Sequence, residues 1–413
     1  MENELENHKL IRETNGKLLK TILNLVNCFY VDENLKDLFI FNEFSGTVEY
    51  SREAIWHGVK KGQELRDKDI VFVQYYLAHN KDFEMPIPKI TNALIELAER
   101  NRYHPIKNYL QELFWDGQNR LDEWLVNVCG ADNNTYTRAI GSKFLMGAVA
   151  RIYQPGIKFD NVLILEGEEN IGKSTVFRIL SDPWFCDSVD LMQDDKQIIE
   201  KMRGSWFLEM AELVGMNDRD QEWVTSFLSR QEDVQRLSYE RRAEKFKRQS
   251  VFCASSNKMD YLYRAEGNRR WWPVKCNKID FEYLKINKDQ IFAEARDRWQ
   301  RGEDLFLSQE LFQQAKLIQK EKLNVNEVWF EIIEKYLLNQ NETTMKNVLF
   351  DCLKVEVKEM QNRSYITNVG RVLKKLGFEK KQRVNQWREK FVYVREDKLG
   401  EIEEKRLFNE EEE

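Results

Sequence analysis

Apolar residues recur at helical spacing through much of the first half of the chain. In ITNALIELAERN, NYLQELFWDG and LDEWLVNVCG they fall three and four positions apart, the period of an amphipathic helix. Asn133 or Asn134 can start the next helix, TYTRAIGSKFLMGAVARIY, and Pro155–Gly156 breaks it. Residues 67–157 therefore read mostly as helices. Ahead of them, helical LLKTILNLVNCFY is followed by strand-like DLFIFNEFSGTVEY. The texture changes at Phe159. NVLILE is a short apolar run leading into a glycine loop and a helix, and SWFLEM, SVFCASS and RRWWPVKC follow as further strand-like runs. Strands alternating with helices predict an α/β core with a mostly parallel sheet. Beyond about residue 305 the chain is helical again and highly charged.

Length turns this pattern into a domain plan. At about 150 residues per domain, a chain of 413 residues should hold two or three. The expected divisions are an N-terminal α/β extension over 1–60, a helical domain over 61–157, an α/β core over 158–304, a helical linker with a basic module over 305–395, and an acidic tail over 396–413. With 42% hydrophobic residues, the chain is not wholly disordered. Six Pro and 18 Gly exclude a collagen-like or linker-rich protein. The N-terminus has no signal-peptide run, and FLMGAVARIY is broken by Arg151 and too short to span a bilayer, so a soluble cytoplasmic protein with no membrane partner is expected. Cys28, Cys129, Cys186, Cys253, Cys276 and Cys352 are scattered, as reduced thiols are. The isolated histidines offer no paired zinc-binding spacing.

The strongest chemical signal is Gly167-Glu168-Glu169-Asn170-Ile171-Gly172-Lys173-Ser174-Thr175. It fits GxxxxGK[ST] between the strand NVLILE and the helix TVFRIL, the context a phosphate-binding P-loop needs. Its glycines let backbone wrap a phosphate chain, and N–H groups at the helix start point at the anion. Lys173 would reach the β and γ phosphates of ATP, and the Ser174 hydroxyl would ligate Mg²⁺. An acid beside the loop is also required. Glu209 ends the apolar run SWFLE, 36 residues beyond Lys173, and is assigned to Mg²⁺; Glu212 is assigned to orienting water. Asn257, at the tip of SVFCASSN, would hydrogen-bond the γ phosphate or the lytic water. Arg269 and Arg270, in GNRRWWPV, are candidate arginine fingers from a neighbouring subunit.

Charge is distributed unevenly in a chain of net −6. RLSYERRAEKFKR, from Arg236 to Arg248, carries +4 with Tyr239 and Phe246 interleaved. Bases neutralise phosphates and aromatics stack on unpaired nucleobases. The candidate DNA contacts are therefore Arg236, Tyr239, Arg241, Arg242, Lys245, Phe246, Lys247 and Arg248. Residues 361–395 carry +8, with an amphipathic helix VGRVLKKLGF stopped by Gly377 and an alternating strand QWREKFVYV. Helix, basic turn and strand make a winged-helix-like module, with Arg371, Lys374, Lys375, Lys380, Lys381, Arg383 and Arg388 as candidate duplex contacts.

Taken together, these motifs resemble the virulence-associated protein E family, which belongs with the D5-type, superfamily 3-like helicase ATPases of phages and mobile elements. The resemblance is carried by Tyr103-His104-Pro105 through Trp115-Asp116-Gly117, the P-loop, WFLEMAEL, QEDVQRLSYERR and EGNRRWWPV. It covers about residues 60–280. It implies an AAA+-like ring, hexameric, that hydrolyses ATP and moves along single-stranded DNA in its channel as a helicase or replication initiator. The chain departs from that pattern in spacing its second strand acid three residues beyond the first. No upstream primase domain fits before residue 60, so priming is not expected. The alternatives are a P-loop phosphotransferase on a small molecule and a nucleotide-bound, non-catalytic DNA-binding regulator.

Overall fold

The computed structural model describes residues 9–56, 58–189, 195–210, 218–236, 243–257, 268–357, 363–382 and 391–395. The chain divides into two compact units, residues 1–256 with 274–307, and residues 257–273 with 308–413.

The first unit opens on a small α/β layer. Helix α1 (Ile22–Val31) precedes a hairpin of β1 (Phe39–Asn42) and β2 (Thr47–Tyr50), paired from Phe39 opposite Tyr50 to Asn42 opposite Thr47. The Asn42 side chain accepts from the N–H groups of Phe44 and Ser45 and so closes the turn on itself. Helices α2 (Asp67–Lys81) and α3 (Ile87–Arg100) follow, then the short β3 (Arg102–Tyr103), parallel to β1. In α3, Ile90, Ala93, Leu94, Leu97 and Ala98 fall on one buried stripe, as the helical period requires. One continuous core runs from Leu18 to Ala98. The division expected at residue 60 cuts through this single core, because α1, α2 and α3 together cover the hairpin, Phe29 of α1 meeting Phe39 of β1.

Helices α4 (Pro105–Glu112), α5 (Trp124–Cys129) and α6 (Thr135–Tyr153) lead to the sheet. His104 caps α4, its side chain accepting from the Lys107 N–H, and Pro105 pre-sets the first helical turn. Asn134 caps α6 in the same way through the Thr137 N–H. Gly147 of α6 lies so close to the Phe159 ring that a Cβ there would come within 2.4 Å of it. The helix meets the chain entering the sheet at that point.

The sheet comprises β4 (Val162–Glu166), β5 (Phe185–Val189), β6 (Phe207–Met210), β9 (Val251–Ser256) and β10 (Trp271–Lys275), in the order β10-β4-β9-β6-β5. β4, β9, β6 and β5 run parallel. Every residue of β4 and β6 is buried, the signature of strands covered on both faces. Helix α7 (Lys173–Ser181) follows β4, α8 (Asp195–Met202) precedes β6, and α9 (Asp218–Ser229) follows it. Helix α10 (Phe281–Gln300) packs against α5, α6 and α7. Between α9 and β9 stands an antiparallel hairpin, β7 (Glu232–Arg236) and β8 (Ala243–Lys247).

The second unit holds α11 (Gln309–Leu337), a turn of π-helix at Asn347–Cys352, α12 (Arg363–Lys375) and a three-stranded antiparallel sheet. That sheet is ordered β11 (Glu342–Thr343), β13 (Phe391–Arg395), β12 (Phe378–Gln382). Val369, Val372 and Leu373 of α12 join Ile333, Leu337 and Phe378 in its core, while Lys374 and Lys375 stay exposed. Gly377, at φ 77°, turns the chain from helix to strand, a conformation that costs glycine little.

One expected DNA contact is corrected by this architecture. Arg248 is 2% exposed, and its guanidinium forks onto Asp233 at 2.6 and 2.8 Å and donates to the Phe227 carbonyl at 2.6 Å. It also lies over the Phe227 ring, 4.3 Å from the centroid. The basic run ends on a structural anchor because the last residue of the hairpin must tie it to α9. Removing one partner of such a pair leaves a buried charge unanswered, which costs about 3–5 kcal/mol. Asp233→Ala is accordingly expected to lower the denaturant midpoint steeply, whereas Lys245→Ala on the exposed side of the same hairpin should leave it nearly unchanged.

Candidate nucleotide-binding site

The carboxyl ends of β4, β6 and β9 bring the sequence-derived residues of the first unit together. Gly167 leaves β4 with its N–H donating to the Ser256 carbonyl at 3.2 Å, and the Cys276 N–H donates to the Glu166 carbonyl at 2.7 Å. The loop is thus held to its sheet neighbours at its root. It then turns through two left-handed residues, Asn170 (φ 64°) and Gly172 (φ 97°). A Cβ on Gly172 would lie 2.4 Å from the Phe281 ring, and one on Gly167 would lie 2.7 Å from the Cys276 carbonyl oxygen. Both glycines are demanded by close approach, and at Gly172 also by backbone angle.

Helix α7 begins at Lys173, and no side chain caps it. A helix start without a side-chain cap presents N–H groups and a positive dipole end to whatever lies in front of it. The Lys173 side chain is buried, and its ammonium donates to the carbonyls of Gly167 at 3.0 Å and Glu168 at 2.6 Å. Burial holds its pKa below the usual lysine value, against the opposing pull of Cys276, Glu169 and Glu209.

Glu209 is the penultimate residue of β6, whose four residues Phe207–Met210 are all buried, and is 6% exposed. The hydroxyls of Ser255 and Ser174, 3.1 Å apart, lie beside its carboxyl. Its Oε1, also buried, has no hydrogen-bond partner among the described residues. Burial pushes its pKa above the usual glutamate value, and the two serine hydroxyls pull the other way without reversing it. A serine hydroxyl and an unanswered carboxylate oxygen side by side are the hard oxygen donors that suit a small divalent cation such as Mg²⁺. Ser174 and Glu209 would hold it.

Ser255 lies beside Ser174 and Glu209, and the sequence pattern does not single it out, Asn257 being the more conspicuous polar group. Its signal is the two-residue period of β9: Cys253 pairs opposite Glu209, and Ser255 follows two positions later on the same face. Asn257 comes directly after β9, and with Arg269 and Arg270 it belongs to the second unit. The two arginines form a 3₁₀ turn, Arg269 exposed and Arg270 half-buried. Glu212, Tyr239, Arg241, Arg242, Arg383 and Arg388 lie outside the described residues. Arg236 is the last residue of β7. Lys245 and Lys247 are exposed, Lys245 pairing with Glu232 at 3.0 Å, and Phe246 is half-buried. In the second unit Lys380 is exposed and lies over the Phe391 ring, Lys381 pairs with Glu379 at 3.7 Å, and Arg371 is half-buried.

Tyr103 through Gly117 forms no cluster of reactive groups. His104 Nε2 meets Gln249 Oε1 at 2.7 Å, the Tyr109 hydroxyl donates to Asp289, and the Asp116 N–H donates to Gln290. The segment ties the helices to the base of the hairpin and to α10. Among the described residues, no three His, Cys, Asp or Glu side chains gather as a metal cluster, and no helix is long and apolar enough to cross a membrane.

A virulence-associated protein E-like domain model matches residues 110–324. Among solved structures, the chain is similar to the apo structure of the NrS-1 C-terminal region, with 10% identity and a TM-score of 0.43, covering 86% of this chain and 95% of that one. A second apo form of the same region gives 11% identity and a TM-score of 0.41, covering 86% of this chain and 96% of that one. No curated protein matches the chain.

An acid whose pKa is raised on folding costs stability while it is ionised, and that cost fades as the pH falls to its unfolded value. Glu209→Gln is therefore expected to raise the Tm of the nucleotide-free protein at pH 8, with the gain closing as the pH approaches 4.5, the ordinary glutamate value. Thermal melts across that range check it. A lower Tm at pH 8 would contradict the unanswered carboxylate.

Proposed function

Because the chain belongs to the virulence-associated protein E-like family, we propose that it is a Mg²⁺-dependent ATPase that acts on DNA as a ring-shaped helicase or replication initiator of a phage or genomic island. The observation that carries the reading is the buried, unpartnered Glu209 Oε1 beside the Ser174 hydroxyl, beneath a glycine loop and the uncapped start of α7. The strand order adds support. β9 stands between the loop-bearing β4 and the acid-bearing β6, as suits an AAA+-like core, and it delivers Ser255 to both.

The catalytic logic is positioning and charge neutralisation. Backbone N–H groups at the start of α7 and the Lys173 ammonium would hold the phosphates of ATP, exchanging the Gly167 and Glu168 carbonyls for phosphate oxygens. When bound between Ser174 and Glu209, Mg²⁺ supplies further neutralisation of phosphate charge. Glu212 and Asn257 are assigned to orienting the attacking water, and Arg269 or Arg270 of a neighbouring subunit to the charge developing on the transferred phosphoryl. A six-membered ring would bring that arginine to the site. Single-stranded DNA would pass the hairpin of β7 and β8, and duplex would meet α12 and the β12–β13 edge of a winged-helix-like module.

The test is ATP hydrolysis with and without single-stranded DNA, for wild type and Lys173→Ala, with molar mass recorded on the same samples. DNA-stimulated turnover by an oligomer, sharply reduced in the variant, is expected; a monomer indifferent to DNA would overturn the motor. Lys374→Ala with Lys375→Ala should weaken duplex binding at all sequences and lower the salt slope by about 2, one for each phosphate no longer neutralised. Fluorescence anisotropy at several salt concentrations reads that slope.

A further inference from the structure

The first unit contains a second concavity that the nucleotide site does not use. It has a volume of about 690 Å³ and is walled by the β1–β2 turn, α3, the end of α8 and the base of the β7–β8 hairpin. That size suits a small organic ligand or a part of one. Its floor is apolar, with Val48, Ile70, Ile95 and Met202.

Three features of the wall are chemically specific. First, the Arg203 guanidinium lies over the Phe246 ring, 5.1 Å from its centroid, and donates to the Gly46 carbonyl at 3.2 Å. A Cβ on Gly46 would come within 2.2 Å of that guanidinium, so the turn is shaped to let the arginine in. Second, Lys245 and Lys247, exposed next to Phe246 in β8, project by strand alternation to the face of the hairpin opposite its ring. Third, the carboxylates differ in their partners. Glu43 and Glu99 share Arg102, at 3.7 and 2.5 Å. Glu49 accepts from Asn42 at 2.7 Å and from the Tyr103 hydroxyl. Glu64 has no ion pair among the described residues; burial and the neighbouring Glu49 push its pKa up, against the opposing pull of Arg203.

An aromatic face backed by a guanidinium binds planar rings, and flanking ammonium groups bind phosphates. A carboxylate accepts from a ring amino group such as N4 of cytosine. We propose that this cavity receives one unpaired base of a single-stranded DNA, stacked at Phe246 and Arg203 with an amino edge toward Glu64, while phosphates further along the strand pass Lys245 and Lys247 on the outer face of β8. The assignment rests on the reading of the chain as acting on DNA, and gives that reading a place where a single base is held. Because every wall belongs to one unit, the site needs no neighbouring subunit.

The test uses the full chain with chelator and no nucleotide, so loss of ATPase activity cannot imitate a negative result. Fluorescein-labelled oligo-dC and oligo-dT of roughly ten nucleotides, within the usual site size, are titrated by anisotropy. Wild type should prefer oligo-dC. Phe246→Ala should weaken oligo-dC binding by roughly five- to a hundredfold, the range for one lost base–aromatic stack. Phe246→Leu, which keeps the bulk, should weaken it as well, and serves as the variant if alanine destabilises the fold. Glu64→Ala should erase the preference for oligo-dC while oligo-dT binding holds. Photocross-linking with an iododeoxycytidine oligomer should mark Phe246. Unchanged affinities with cross-links only elsewhere would overturn the proposal. So would saturable binding of free dCMP that depends on Phe246 in a protein whose strand binding does not.

Discussion

An ionised carboxylate sealed at a strand end is expensive unless some group answers it. Glu209 Oε1 is such an atom: buried, beside two serine hydroxyls, and with no partner of its own among the described residues. The surrounding structure makes sense around that cost. β4 and β6 are buried on both faces, so their last residues can be placed only at the sheet's carboxyl edge. β9, pairing with both, sets Ser255 within reach of Ser174 and Glu209 together. The glycine loop is pressed against Cys276 and Phe281 so closely that its path is fixed before any ligand arrives.

The same rigidity separates holding from reading. The loop and its acid stand on strands and a helix with little freedom. The hairpin of β7 and β8 is anchored differently. Its base is bolted by the buried Arg248–Asp233 pair, and its exposed lysines are left to face outward. One basic run thus serves two ends: its final arginine sets the stability of the hairpin, and the others give it charge.

Much of this was legible in the sequence. GxxxxGK[ST] after NVLILE picks out a glycine loop whose close contacts at Gly167 and Gly172, and backbone angle at Gly172, leave no room for a side chain. The parallel sheet followed from apolar runs alternating with helices, and α12 from its apolar stripe. Three things were not legible. The N-terminal hairpin shares its core with α2 and α3, a tertiary fact that no local period carries. Arg248 reads as one more base in a basic run, and only the pairing of β7 with β8 brings Asp233 to it. Ser255 is hidden among small polar residues, and the face it shares with Cys253 opposite Glu209 depends on strand register.

The central question is whether the loop and Glu209 together receive a magnesium nucleotide. The most direct measurement is the Tm of the wild-type protein at increasing ATP, once with Mg²⁺ and once with chelator. A ligand that binds only the native state stabilises it by about 2.7 kcal/mol at a hundredfold excess over its Kd. A saturable rise in Tm with Mg²⁺ and ATP, much reduced by chelation, is the predicted result. A melting curve indifferent to ATP at millimolar concentration in the presence of Mg²⁺ would contradict it.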